Sequence, residues 1–212
     1  MPFNATIDFE ADFQNQNLSS GVRSCEMNSI IRTKKIPSGT EIKLVEGDIT
    51  LAKVEGIVNP ANAQLRHGGG LAGYLANKAG SALQAESTQW VNENGPVSHD
   101  NPAHTSAGDL PFKSVIHAVG PVWGSGNEAD KLSAAVKGAL NLAEELQLNS
   151  LALPAISTGI FGYPLDEAAR IILSAVLDTS LEKSESIVEE VQIVVHGSRS
   201  AQVFQQVWDA HV

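Results

Sequence analysis

Gly56-Ile57-Val58-Asn59-Pro60-Ala61-Asn62-Ala63-Gln64-Leu65-Arg66-His67-Gly68-Gly69-Gly70-Leu71-Ala72-Gly73 joins an apolar run to a helix-like run that continues to Ala79. Between the two runs stand two asparagines and three consecutive glycines. A loop of this kind lets a ligand approach the backbone with no Cβ in the way. The helix that follows offers unpaired N–H groups and the positive end of its dipole. Together these make an anion site, most naturally for phosphate. A tight strand-to-helix turn with nothing bound is the alternative local interpretation.

The rest of the chain bounds what that loop belongs to. Its 212 residues suit one domain, or one domain with an extension. Apolar residues make up 42%, enough for a real core. No window approaches the roughly 18 uninterrupted apolar residues of a membrane span, and no basic-then-apolar leader opens the sequence. The single cysteine, Cys25, cannot form an internal disulfide. That fits a reducing compartment, cytosol or nucleus. One cysteine and six scattered histidines give no zinc-ligand spacing, so no metal or cofactor is expected.

Net charge is −10. Residues 1–38 carry four basic and four acidic side chains, so the whole excess lies in residues 39–212. This disfavours nucleic acid, whose binding needs Lys and Arg to displace counterions. A phosphorylated small molecule remains open, because backbone N–H groups bind phosphate without side-chain charge.

Residues 1–38 are polar and aperiodic, and are expected to be a linker, a tag-like extension or an edge-packing segment ending at Pro37-Ser38-Gly39. The domain proper spans 39–212. Period-two and short apolar runs predict strands at 41–45, 56–59, 103–107, 114–119, 150–153 and 191–195. Helical spacing predicts helices at 71–79, 128–146, 165–177 and 200–210. A further helix is expected from an N-cap at Ser81 to Asn94. Short strands alternating with helices imply an α/β domain in layers around a largely parallel sheet. Ligands in such domains sit beyond the carboxyl ends of the strands.

Three predicted strand-to-helix loops carry ligand-type residues. Gly47-Asp48-Ile49-Thr50 offers Asp48, either as a turn cap or as an acceptor for a ligand amine. The Asn59–Gly73 loop is the second. Pro154-Ala155-Ile156-Ser157-Thr158-Gly159-Ile160-Phe161-Gly162-Tyr163-Pro164 is the third, and two glycine-punctuated loops could clamp one diphosphate. Gly68, Gly70 and Gly73 also satisfy G-x-G-x-x-G. That match lacks its context, since Pro60 to His67 separate it from the strand and no acid-ended strand follows. There is no P-loop and no nucleophile elbow. His67 is the one histidine placed to meet a ligand. His117 reads as a core residue, and His196 ends the last strand, where it could stack on a base or stay on the surface.

Gly-Asp-Ile-Thr at 47–50, Val-Asn-Pro-Ala-Asn at 58–62 and His-Gly-Gly-Gly-Leu-Ala at 67–72 together resemble the macro domain family. So do Ile-His-Ala-Val-Gly-Pro-Val-Trp at 116–123 and Pro-Ala-Ile-Ser-Thr-Gly-Ile-Phe-Gly-Tyr-Pro at 154–164. The motifs run in family order over about 39–212. The resemblance implies a three-layer α/β/α sandwich with a mixed, mostly parallel central sheet, and a cleft for ADP-ribose. In that cleft Asp48 would accept from the adenine amine and Ile49 would supply a backbone contact. Asn62 would bond the distal ribose, supported by Asn59. Gly68, Gly69, Gly70, Leu71 and Ala72 would line the diphosphate and distal ribose. Ser157, Thr158, Gly159, Ile160 and Phe161 would wrap the diphosphate, and His196 would lie against adenine.

One position departs from the hydrolytic branch of that family. Where that branch carries an Asp to orient the attacking water, this chain has Ala72, and a methyl group neither accepts a proton nor holds a water. Hydrolysis would need another base, either the substrate's own diphosphate or His67, with Asn62 the other candidate catalytic residue. The expected partner is ADP-ribose, or the terminal unit on a modified protein, bound by a monomer. Hydrolysis of O-acetyl-ADP-ribose or ADP-ribose 1″-phosphate is the alternative function, and an RNA or poly(ADP-ribose) scaffold is a third.

Overall fold

The structure is a computed structural model that describes residues 28–182 and 186–212. Its strands are β1 (Ser29–Lys35), β2 (Glu41–Glu46), β3 (Gly56–Ala61), β4 (Ala103–Thr105), β5 (Ser114–Val119), β6 (Ser150–Pro154) and β7 (Glu190–Val195). Its helices are α1 (Gly70–Ala79), α2 (Ser81–Asn94), α3 (Glu128–Glu145), α4 (Leu165–Leu181) and α5 (Ser198–His211). The strands form one sheet in the order β1-β2-β7-β6-β3-β5-β4. The five central strands are parallel, and β1 and β4 run antiparallel at the two edges.

Side-chain alternation along the parallel strands builds the layers. Leu44, Val58, Ile116, Leu151, Leu153 and Ile193 face α3, α4 and α5. Their chain neighbours Val45, Ile57, Val115, Ala152 and Val194 face α1 and α2 on the other side. Leu132, Val136, Ala139, Leu140 and Ala143 place a single apolar stripe of α3 in the first layer. This is the expected three-layer α/β/α sandwich with a mixed, mostly parallel sheet. Among the described residues no helix is long and apolar enough to cross a membrane.

The boundary expected at residues 37–39 is corrected. Ser29–Lys35 is a strand of the sheet, paired antiparallel with β2 and bulged between Ile30 and Arg32. Its sequence hides this. Lysines and an irregular register are what an edge strand uses to avoid pairing with other chains, and they erase the period-two pattern. Arg32 fastens the edge to α5 by a two-pronged pair with Asp209, both contacts at 2.7 Å. Residues 1–27 of the expected extension, Cys25 among them, lie outside the described residues.

Two smaller expectations also change. Ser81 is the first residue of α2, not its cap. Gly80 occupies the cap at φ 77°, where a Cβ would meet an Asp109 carboxylate oxygen at 2.8 Å. β3 runs on through Pro60 to Ala61, beyond the expected Asn59. A residue that cannot donate to a ladder is tolerated there because β6 has already left: β3 pairs with β6 only at Gly56 and Ile57.

Candidate ligand cleft

That early parting of β3 and β6 opens the sheet at its carboxyl edge. The chain leaves β3 towards β5 and leaves β6 towards β7, in opposite directions from the parting. Such a switch point is where layered parallel sheets form a crevice. The loops flanking it are the Asn62–Gly69 loop and the Ala155–Pro164 loop. The Gly47–Thr50 turn lies three strands from β3, at the end of β2. At roughly 4.8 Å per strand the two are about 14 Å apart.

The first wall is tied by its own asparagine. Asn62 Oδ1 accepts from the N–H groups of Gln64 and Arg66 at 3.1 and 3.2 Å, and its Nδ2 donates to the Arg66 carbonyl at 2.6 Å. These bonds hold Leu65 at φ 49° with its side chain fully buried. Gly69 caps α1 with no side-chain bond, and among the described residues nothing accepts from the first-turn N–H groups of Leu71 and Ala72. Beneath the loop, Asn59 is completely buried and reaches both Nδ1 of His67 (3.2 Å) and Nδ1 of His117 (2.9 Å).

The tautomers in this buried cluster follow from its outer partners. The Thr105 hydroxyl donates to the Ser106 carbonyl, so it accepts from His117 Nε2–H at 2.9 Å. Nδ1 of His117 is then an acceptor for the Asn59 amide. His67 repeats the pattern, with Nε2 against the Ser87 hydroxyl at 2.9 Å. The two imidazoles stack with centroids 5.1 Å apart. Burial lowers the pKa of His67. Burial, with the nearby His67 and His104, lowers that of His117 to about 3. Both rings are neutral struts under the glycine loop.

The opposite wall is strained. Ser157 sits at φ 67° with its hydroxyl buried and unpaired. A non-glycine residue in that region costs roughly 1–2 kcal/mol, and such strain is characteristic of binding sites. The loop comes so close to the end of β5 that a Cβ on Gly120 would lie 2.2 Å from Ser157 Oγ. Among the described residues nothing accepts from the N–H groups of Ser157, Gly159, Ile160 and Phe161. Ile160 is 78% exposed, yet its side chain reaches across to the glycine loop: a Cβ on Gly70 would be 3.2 Å from Ile160 Cδ1. The walls therefore meet in an arch, with unpaired N–H groups on both sides.

At the far end, Asp48 does two jobs. It caps the Ile49–Leu51 turn, Oδ1 accepting from the Thr50 N–H and hydroxyl at 2.8 Å each. Its Oδ2 accepts from the Tyr74 hydroxyl at 2.6 Å. Burial pushes this carboxyl up. The bonds from Tyr74 and Thr50 and the nearby Lys78 charge outweigh burial, and the pKa lies below the usual value. A carboxylate has about four acceptor positions, so among the described residues one on Oδ2 is left for a ligand donor.

Residues 58–172 match the Macro domain family. The chain belongs to the macro domain family. It is 45% identical over 174 residues to an uncharacterised protein of Pyrobaculum aerophilum, an alignment covering 82% of this chain and 94% of that one. It is 35% identical over 198 residues to protein mono-ADP-ribosyltransferase PARP14 of Homo sapiens, spanning 91% of this chain but 11% of that protein. The Oceanobacillus iheyensis macrodomain with ADP superposes with a TM-score of 0.81 at 29% identity, covering 87% of this chain and 97% of that one. The Trypanosoma brucei macrodomain in complex with ADP-ribose gives 0.71 at 28%, covering 78% and 68%.

Within this macro domain the expected residues divide three ways. Asp48, Asn62, Gly68–Ala72 and Ser157–Phe161 border the crevice, and exposed His196 stands at the end of β7 on the same edge. Ile49 is buried in the core, so only its backbone can serve a ligand. His67, expected to face the ligand, is corrected: both ring nitrogens are spent inward, on Asn59 and Ser87. Sequence reasoning missed Tyr74 and Asn28, which hold Asp48 from outside its motif. Asn28 Oδ1 accepts from the Asp48 N–H at 2.9 Å, in space that only a glycine at position 47 leaves open. Neither has a local sequence signal, because each acts across the fold. A shallow hollow lined by Leu51, Lys53, Glu55, Pro111 and Ser150 lies at the opposite edge, by the amino ends of β3 and β6.

Proposed function

We propose that this macro domain binds ADP-ribose, as the free nucleotide or as the terminal unit on a modified protein. The observation that carries this is the arch: two loops with unpaired N–H groups, closed by Ile160 over Gly69 and Gly70, with the remaining Asp48 acceptor about 14 Å away. An anionic centre suits the arch, and a group with an exocyclic amine suits Asp48. An adenine nucleotide diphosphate joined to a second sugar meets both demands. The solved relatives with ADP and with ADP-ribose support the same ligand.

In this proposal the protein is primarily a binder. Residues 59–73 and 154–164 contain no carboxylate. Their only imidazole is the inward-turned His67, and Ala72 supplies no base. Any turnover would rely on the diphosphate of the substrate to deprotonate water, which is weak general-base catalysis. Asn62 then keeps the loop in shape and has no proton to move. Titration calorimetry with ADP-ribose tests binding; no heat from a folded sample refutes it. Release of ADP-ribose from an ester-linked modified protein tests turnover, and a rate well above that without enzyme would refute the assignment as a binder.

A further inference from the structure

We propose that the Val122–Trp123 face beyond the glycine loop docks a basic segment of the polypeptide that carries the ADP-ribose. This rests on the proposed ligand and adds the class of molecule to which it is attached. The strand order places the loop after β5 on the far side of the glycine loop from Asp48. A ligand with its base at Asp48 and its diphosphate under the arch therefore directs its second sugar, and whatever that sugar carries, towards residues 120–127.

That exit is apolar, fixed and acidic. Val122 is 51% exposed and Trp123 46%, beside the exposed Ile160. The indole is not loose. The Trp123 backbone N–H donates to the Phe161 carbonyl at 2.9 Å, which fixes the chain here, and the ring rests on buried Tyr163 with centroids 4.9 Å apart. The first turns of α3 and α4 flank it with Glu128, Asp130, Asp166 and Glu167. Glu128 is held facing the loop by the Gly126 N–H at 2.8 Å. Two cations offset this group: Arg170 is paired with Asp166, and Lys131 leans to the Ser125 carbonyl. An exposed indole ringed by surplus carboxylates suits an Arg or Lys side chain, which takes the ring face by cation–π attraction and the acids by charge.

The test compares three probes by titration calorimetry: free ADP-ribose, a short peptide with one ADP-ribosyl serine flanked by arginines, and the same peptide flanked by glutamates. The arginine peptide should bind about fivefold tighter than free ADP-ribose, and the glutamate peptide no tighter. Trp123→Ala should abolish that advantage while leaving affinity for free ADP-ribose unchanged. The double variant Glu128→Gln, Glu167→Gln should do the same with the indole intact, so the test survives a misfolded Trp123→Ala. Equal affinity for the two peptides overturns the inference while leaving ADP-ribose binding intact. Failure of free ADP-ribose to bind overturns both.

Discussion

Lowering the pH from 6.5 to 5 should destabilise this protein chiefly through two buried histidines. His117 is completely buried, and burial lowers its pKa in the folded chain to about 3 from the ordinary 6.5. The folded pKa is depressed, so between these values the unfolded chain binds a proton that the folded chain does not. Stability therefore falls as pH falls, by about 1.4 kcal/mol per unit for one proton. Because the unfolded imidazole is only half protonated at pH 6.5, the loss from His117 alone over the 1.5 units to pH 5 is about 1.6 kcal/mol. His67 is shifted in the same direction by burial and adds to the slope. Asp48 and the other carboxylates with lowered pKa, such as Glu55 and Asp209, begin to lose their contribution only near pH 5, at the low end of this window, and lose most of it below about pH 4.

The assay is equilibrium unfolding in urea at half-unit pH steps, with the slope of stability against pH giving the difference in bound protons. Wild type should show between one and two protons. His117→Gln should show about one fewer, whatever its absolute stability. A flat wild-type profile from 6.5 to 5 would refute the buried, neutral cluster. So would an undiminished slope in His117→Gln.

Three other outcomes follow from the cleft. Asp48→Ala should weaken ADP-ribose binding by about tenfold or more and cost about 1 kcal/mol of stability through the lost cap, read by calorimetry and thermal melting. Gly120→Ala should cost about 1–3 kcal/mol by pushing Ser157 and Ile156 from the end of β5, with reduced affinity for ADP-ribose at a temperature where the variant is still folded. Asn62→Ala should speed hydrogen exchange at Gln64 and Arg66 while leaving the protection of β3 unchanged, since all three of its side-chain bonds lie within the loop.

How far the sequence could be read depends on how locally each feature is determined. The parallel core was legible because the central strands are short apolar or alternating runs and the long helices α3 and α4 keep an apolar stripe. β1 was not, because it pairs on one side only and its lysines lie on the exposed surface. The boundary at Pro37 looked like a domain edge for the same reason. Asp48, the glycines and the 154–164 loop were legible because glycine, asparagine and a strand end are local signals. Their supports were not. Asn28 lies 20 residues from Asp48, and Tyr74 lies 26. Each contact exists only once the sheet has formed.

His67 shows what a motif cannot convey. A histidine directly before three glycines has the sequence of a ligand contact, and only the fold decides which way the ring turns. Here Asn59 decides it. One amide with two hydrogens spans two imidazole acceptors, so His67 cannot swing into the crevice without leaving Asn59 and Ser87 short of a partner. Losing a buried hydrogen bond costs about 1–3 kcal/mol. Protonating the ring to make it an acid would cost more, because burial opposes the charge. The same amide that supports the glycine loop from below thus turns the only imidazole in that loop away from the crevice. With Ala72 in the next turn, the proposed role is holding the ligand, and in that proposal any cleavage is left to groups the ligand brings with it.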